Sequence, residues 1–300
     1  MANIAKSSND SESKSINLVR NPKSLLAIFE MVMTGIASTF IVITLIPLFA
    51  VLFYVVIKGG SRLNLDLFTQ LPPVAGQTTG GIASAILGTI QVVSVATIIA
   101  VPFGVLAAIF LSEFGGNGQV VRWIRFTTNV LSGVPSIIVG VFAYSFIVLN
   151  MGSFSVIAGA IALSILMLPT IIRTTDEALQ IVPQEIRWAS VGVGASNYQT
   201  VLQVVLPACL PAILTGVTLA IARAAGETAP LLFTVIYTNN WPSGSLLSPT
   251  LPSLSYLVYE FARGFDRVLQ EFAWAGSLVL VGLVLLTSII ARLATRQKQF

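Results

Sequence analysis

Arg223 and Glu227 are the two charged residues in the apolar stretch 208–237, and they stand four positions apart. An arginine near the centre of a bilayer costs about 2.5–3.5 kcal/mol even on the lenient insertion scale, so it must face a bundle interior or a wet cavity. A separation of four on a helix puts both side chains on one face. Two chemistries are then open. The pair can neutralise itself and hold a bundle together, or the planar guanidinium can present its fork of N–H donors to an oxyanion, which suits Arg better than Lys. Arg173 follows Pro169 at the inner end of another apolar run and is either a second group of this kind or a basic anchor at the membrane face. Gly226 and Pro230 flank Glu227 and loosen the helix there, either freeing backbone groups near an anion path or kinking it for packing.

The elements that must position these residues are membrane spans. Hydrophobic residues make up 55% of the 300 residues and charged ones 9%, and the mean hydropathy is +0.89. So few charges cannot cover a water-soluble globule, for which about 25% is usual. A soluble enzyme is excluded. There is no histidine, so His metal sites, His-dependent triads and His-ligated haem are excluded too. The single Cys209 forms no internal disulfide or multi-Cys zinc site. The lysines (Lys6, Lys14, Lys23, Lys58 and Lys298) supply no Walker A motif within the body of the chain, so if ATP drives this protein another subunit binds it. No bound cofactor is expected on this chain, and a membrane-embedded enzyme is poorly supported because nucleophile, base and metal ligands are scarce. The basic excess is better explained by membrane topology than by nucleic acid.

Charge-free runs cover residues 31–57, 82–111, 126–172 and 272–291. A span takes about 20 residues at 1.5 Å each, so the run 126–172 reads as two spans turned near Asn150-Met151-Gly152-Ser153. With 208–237 the total is six. The first is too long, and lacks the small-residue cleavage site, for a removable signal peptide. Residues 1–23 are polar and Ser-rich and read as a disordered cytoplasmic tail, leaving 24–300 as one transmembrane domain. With the N-terminus inside, the inner segments carry eleven Lys and Arg and the outer loops four (Lys58, Arg62, Arg263 and Arg267), which places both termini in the cytoplasm. The outer segment 238–271 holds a Pro, Gly and Ser-rich loop. After it, Leu254, Leu257, Val258, Phe261, Phe265, Val268 and Leu269 recur at helical spacing, interrupted by charges. This predicts an amphipathic helix on the outer membrane surface, serving as an interfacial anchor or as a dock for an external partner. Ala96, Ala100, Gly104 and Ala108 repeat every four residues, which suits close helix packing or a pore lining.

The inner loop 173–207 is long and internally ordered. Thr175-Asp176-Glu177 can open a helix, Pro183 and Glu185 a second, and Ser196-Asn197 a third, with Gly192 and Gly194 breaking the pattern between them. The expected product is a helix-turn-helix knob. Gly192-Val193-Gly194 is no dinucleotide fingerprint, since the third glycine and a preceding strand are missing.

This loop resembles the EAA loop of bacterial ABC-importer permeases, whose pattern is Glu-Ala-Ala, three residues, Gly, nine residues, then Ile-x-Leu-Pro. With the glycine on Gly194, the end reads Val204-Val205-Leu206-Pro207 and the start Trp188-Ala189-Ser190, so Trp stands where the family has Glu. The run from Ile221 to Thr234, with its Arg-Ala-Ala-Gly-Glu-Thr-Ala-Pro-Leu-Leu core, is similar to the fifth-span signature of PstA-type phosphate permeases. So are Pro72-Pro73, Gly80-Gly81-Ile82, Gly88-Thr89, Leu111-Ser112-Glu113-Phe114 and Gly133-Val134-Pro135-Ser136-Ile137-Ile138. The likeness covers about residues 58–292.

The resemblance implies an all-α membrane protein of the ABC-importer permease (MetI-like) fold with cytoplasmic coupling helices, in a bacterial inner membrane. It implies a conduit for inorganic phosphate that is not catalytic itself. Arg223, Glu227 and Arg173 would lie on the substrate path. Glu185, Trp188, Ala189, Ser190, Gly192, Gly194, Ala195 and Ser196 would face the ATPase. The implied partners are a homologous PstC-like permease, a homodimeric PstB-like ATPase carrying ATP and Mg, and an external PstS-like phosphate-binding protein. Permeases for sulfate, molybdate or phosphonate are the nearest alternative; a stand-alone channel or secondary transporter is more distant.

Overall fold

The computed structural model describes residues 25–296, with side chains from 27 to 293. The expected tail 1–23, and with it Lys6, Lys14, Arg20 and Lys23, lies outside the described residues, as does Lys298. The chain forms two units, divided after Phe53. The first holds most of helix α1 (Leu25–Gly60), which carries no charge from Met31 to Ile57 and is apolar on every face, as a helix in lipid must be.

The second unit, from Tyr54, is also nearly all helix. It runs through α2 (Leu65–Thr69), α3 (Ala83–Phe114), α4 (Gln119–Gly133), α5 (Ser136–Met151) and α6 (Val156–Ile181). Then come α7 (Gln184–Gly192), α8 (Asn197–Gly226), α9 (Ala229–Thr234), α10 (Leu254–Arg263) and α11 (Arg267–Arg296). Among the described residues, five helices are long and apolar enough to cross a membrane, and α4 with α5 makes a sixth crossing if the bent pair counts as one.

Helix α6 is the axis, packed on α3, α4, α5, α8 and α9. The repeat Ala96, Ala100, Gly104 and Ala108 is wholly buried. A Cβ built on Gly104 would lie 2.7 Å from Ile171 Cγ2 of α6, so of the two readings of this stripe the structure realises close packing. The N-terminus of α6 is closed by Ser155, whose hydroxyl accepts from Ala158 N–H. The loop 239–252 adds the carbonyls of Leu246 and Ser248, which accept from Ile157 and Val156 N–H at 2.9 and 3.0 Å. Free N–H groups of a first helical turn are thus satisfied by an otherwise irregular segment.

Four expectations need correction. The turn after Asn150 is present, with Gly152 left-handed at φ 66°, but the span before it begins at Gln119 and is broken by a 107° bend between α4 and α5. Pro135 supplies the cause: it lacks an N–H and forces Val134 into extended backbone. Thr175-Asp176-Glu177 opens no helix, since α6 runs through them to Ile181 with Thr175, Asp176 and Leu179 buried. The fifth span stops at Gly226, and Glu227 is extended. Finally, the apolar series from Leu254 divides between α10 and α11. Leu254, Leu257 and Phe261 pack with Ile82, Ala85 and Phe272 in a protein core, while Phe265 between the helices is fully exposed. The apolar face of α10 therefore covers protein, where the sequence pattern suggested lipid.

Candidate anion site and coupling loop

Arg223 sits on the last turn of α8, and Glu227 immediately follows the helix end. Arg223 Nε donates to Glu227 Oε1 at 3.3 Å. The arginine side chain stays 51% exposed while the carboxylate is 17% exposed, so the pair is not sealed. The break after Gly226 is pinned by α10: Ser255 Oγ donates to the Glu227 carbonyl at 3.1 Å, and Thr228 Oγ1 to the Ser255 carbonyl at 3.4 Å. Glu227 keeps its reach to Arg223 although it has left the helix.

Arg173 repeats the arrangement on α6, donating through Nε to Glu177 Oε1 at 3.0 Å with both side chains exposed. Arg173 and Arg223, on different helices, line one cavity of about 180 Å³ together with Ser132 of α4 and Thr170 and Thr174 of α6. Thr170 stands one turn before both Arg173 (i, i+3) and Thr174 (i, i+4), a relation that spacing alone could have revealed. Ser132 comes from another helix and carried no signal. The hydroxyls of Ser132 and Thr174 rest on carbonyls one turn back, at 2.8 Å each, and rotation would turn them toward a guest in the cavity. The site thus offers two guanidinium forks and several hydroxyls, each fork held by a carboxylate that an anion could replace. Among the described residues, no three His, Cys, Asp or Glu side chains gather as metal ligands.

The second region is the knob between α6 and α8. Pro183 precedes α7, Gly194 turns the chain at φ 97°, and Ser196 opens α8 in a capping box with Gln199. Glu185, Trp188, Ala189, Gly192, Gly194 and Ser196 are exposed. Ser190 and Ala195 instead hold the knob together: Ser190 Oγ lies 2.9 Å from Thr200 Oγ1, and Ala195 N–H donates to the Ser190 carbonyl. Trp188 is 68% exposed and Val193 88%, a large apolar surface for a segment outside the spans.

Arg187, which sequence reasoning passed over, fixes this knob to the spans. Its Nη2 donates to Glu113 Oε1 at 2.8 Å and to the Leu179 carbonyl at 2.9 Å, and its Nη1 to the Val182 carbonyl. Both members of the ion pair are largely buried. Helix α7 is thereby tied at once to the π-helical last turn of α3 (Phe110–Phe114) and to the end of α6. The motif Leu111-Ser112-Glu113-Phe114 gave the only hint.

The family described as binding-protein-dependent transport system inner membrane component matches residues 100–298. Curated relatives named phosphate transport system permease protein PstA include one from Haemophilus influenzae, 37% identical over 89% of this chain and 94% of its own. Another, from Yersinia pestis, is 36% identical over 83% of this chain and 84% of its own. The chain belongs to the binding-protein-dependent transport permeases, and within them to the PstA family. Among solved structures, an inward-facing MetNI methionine ABC transporter superposes on this permease with a TM-score of 0.57 at 22% identity, covering 73% of this chain and 95% of that one. A bacterial alginate ABC transporter reaches 0.65 at 12% identity, covering 92% and 98%. These likenesses show the fold alone, and the all-α MetI-like architecture is that of this permease.

Proposed function

We infer that this permease is the phosphate-translocating membrane subunit of an ATP-driven importer, with its anion path through the cavity shared by Arg173 and Arg223. The observation that carries this reading is that Arg173 of α6 and Arg223 of α8 line one cavity together with Ser132, Thr170 and Thr174. An incoming oxyanion replaces Glu227 on Arg223 and Glu177 on Arg173, and the carboxylates reclaim the arginines as it leaves. Conduction needs such exchange, because a site must also release. Glu227 adds selectivity. Phosphate near neutral pH still carries a proton that a carboxylate can accept in a hydrogen bond, whereas sulfate carries none and is repelled.

The permease family and the names of its relatives support a complex with a homologous PstC-like permease, two PstB-like ATPase subunits carrying ATP and Mg, and an external PstS-like binding protein. The exposed faces of Trp188 and Val193 suit a groove on the ATPase. The chain itself supplies a conduit and a coupling element in the bacterial inner membrane, with both termini cytoplasmic and α7 on that side.

The test is uptake of radiolabelled phosphate in cells lacking their own high-affinity system, with the partner subunits co-expressed and membrane levels checked. Arg223→Gln should lower uptake about tenfold or more, the scale of one lost charge-assisted hydrogen bond at 1.5–3 kcal/mol, and excess sulfate should not compete. Normal uptake in the variant would return Arg223 to a structural role, and competition by sulfate would point to another oxyanion.

A further inference from the structure

We propose that Arg125, with Thr128 and Asn129, forms a second oxyanion station between the Arg173–Arg223 cavity and the cytoplasm, a proposal that rests on reading that cavity as the anion path. A separate cavity of about 330 Å³ is lined by Arg125, Thr128 and Asn129 of α4 and by Arg173, Asp176, Glu177 and Gln180 of α6, so each arginine on its wall stands with its carboxylate partner. Arg173 lines both hollows, so they adjoin at this residue. Gln180, seven residues or about 10 Å further along α6, also lines the cavity of about 560 Å³ that holds Arg187 and Glu113 beneath α7. Three hollows are therefore strung along α6 toward the coupling loop, joined by shared polar side chains.

The facing helix is built to match. Arg125, Thr128, Asn129 and Ser132 follow the i, i+3, i+4, i+7 spacing of a single face of α4. Ser132 serves the first cavity, and the other three line the second. Arg125 also repeats the pairing of the other two arginines. Its Nη1 and Nη2 donate to Asp176 Oδ2 and Oδ1 at 2.6 and 3.3 Å, with the arginine half exposed and the aspartate nearly buried. A guanidinium held this way keeps donors free for a second acceptor. The station suits a tetrahedral oxyanion stepping off Arg173, and the carboxylate partner prevents the tight capture that would stall release.

The complete importer reconstituted in liposomes, assayed for uptake of radiolabelled phosphate, tests the station. Asn129 is exposed and outside the ion pair, so Asn129→Asp places a negative charge on the cavity wall without disturbing folding. Uptake should fall about tenfold through like-charge repulsion in a partly desolvated site. In a second variant, Arg125→Asp with Asp176→Arg, the ion pair is kept but the guanidinium moves to α6; uptake should stay low. Wild-type rates in either variant overturn the station. Failure of the underlying reading would look different: the wild-type complex would carry sulfate in place of phosphate, or Arg223→Gln would transport normally.

Discussion

At the scale of the residue, the proposed selectivity rests on the arginine and carboxylate pairs. Arg223 and Arg173 are each held by a carboxylate four positions on, and neither arginine is buried. The Arg223–Glu227 pair is half open, 51% and 17% exposed, and a solvated pair of this kind contributes little to stability, about 0–1 kcal/mol. The carboxylate is where discrimination can be tested. Glu227→Gln removes the charge to which we assign sulfate exclusion while keeping a side chain of the same shape. Excess sulfate should then compete with labelled phosphate in uptake assays where it does not compete in the wild type. Discrimination that survives this change would remove Glu227 from the selectivity mechanism and place selection elsewhere.

At the scale of the element, two helix contacts set the geometry. Gly104 lets α3 approach α6 at Ile171, two residues before Arg173, and a methyl group there would sit 2.7 Å from Ile171 Cγ2. Gly104→Ala should destabilise the permease by about 1–3 kcal/mol through overpacking, read as a lower midpoint of thermal unfolding in detergent, and combined with Ile171→Ala the two losses should amount to less than their sum. The second contact is the Arg187–Glu113 pair that ties α7 to α3 and α6. Arg187→Met strands a largely buried carboxylate, so it should cost about 3–5 kcal/mol, whereas Arg187→Met with Glu113→Leu should cost far less. If the pair also transmits motion, the double variant should still hydrolyse ATP in the assembled complex while phosphate uptake per ATP falls. Uptake that tracks hydrolysis as in the wild type would confine the pair to stability.

For the whole molecule, the distribution of Lys and Arg predicts which end faces the cytoplasm. The structure supplies positions at which to ask. Val193 lies at the tip of the knob and Phe265 between α10 and α11, both highly exposed, whereas the native Cys209 is buried. With intact cells and a membrane-impermeant maleimide, Phe265→Cys should be labelled directly and Val193→Cys only after the membrane is opened. The reverse pattern would invert the orientation and with it the direction assigned to the path along α6.

How much of this was legible beforehand depends on the range of the interaction. Composition and charge-free runs determine a multi-span helical protein, because lipid offers the backbone no partner and helices satisfy it internally. Local chemistry announced the turn at Gly152, the start of α7 after Pro183 and the Ser196 cap, because each is settled within a few residues. Arg223 and Glu227 were legible as charges out of place in an apolar stretch, and Arg173 as a basic residue at the inner end of a span. Their meeting was not: that Arg173 and Arg223 share a cavity with Ser132 depends on how α4, α6 and α8 cross. The 107° bend after Gly133 was signalled only by Pro135, whose effect on direction is set by the helices it packs against. The apolar face of α10 looked the same whether lipid or protein would cover it, and only the packing of Leu254, Leu257 and Phe261 against α3 and α11 chose protein. Periodicity says that a face will be buried; what buries it is decided by contacts between residues far apart in the chain, which only the tertiary structure brings together.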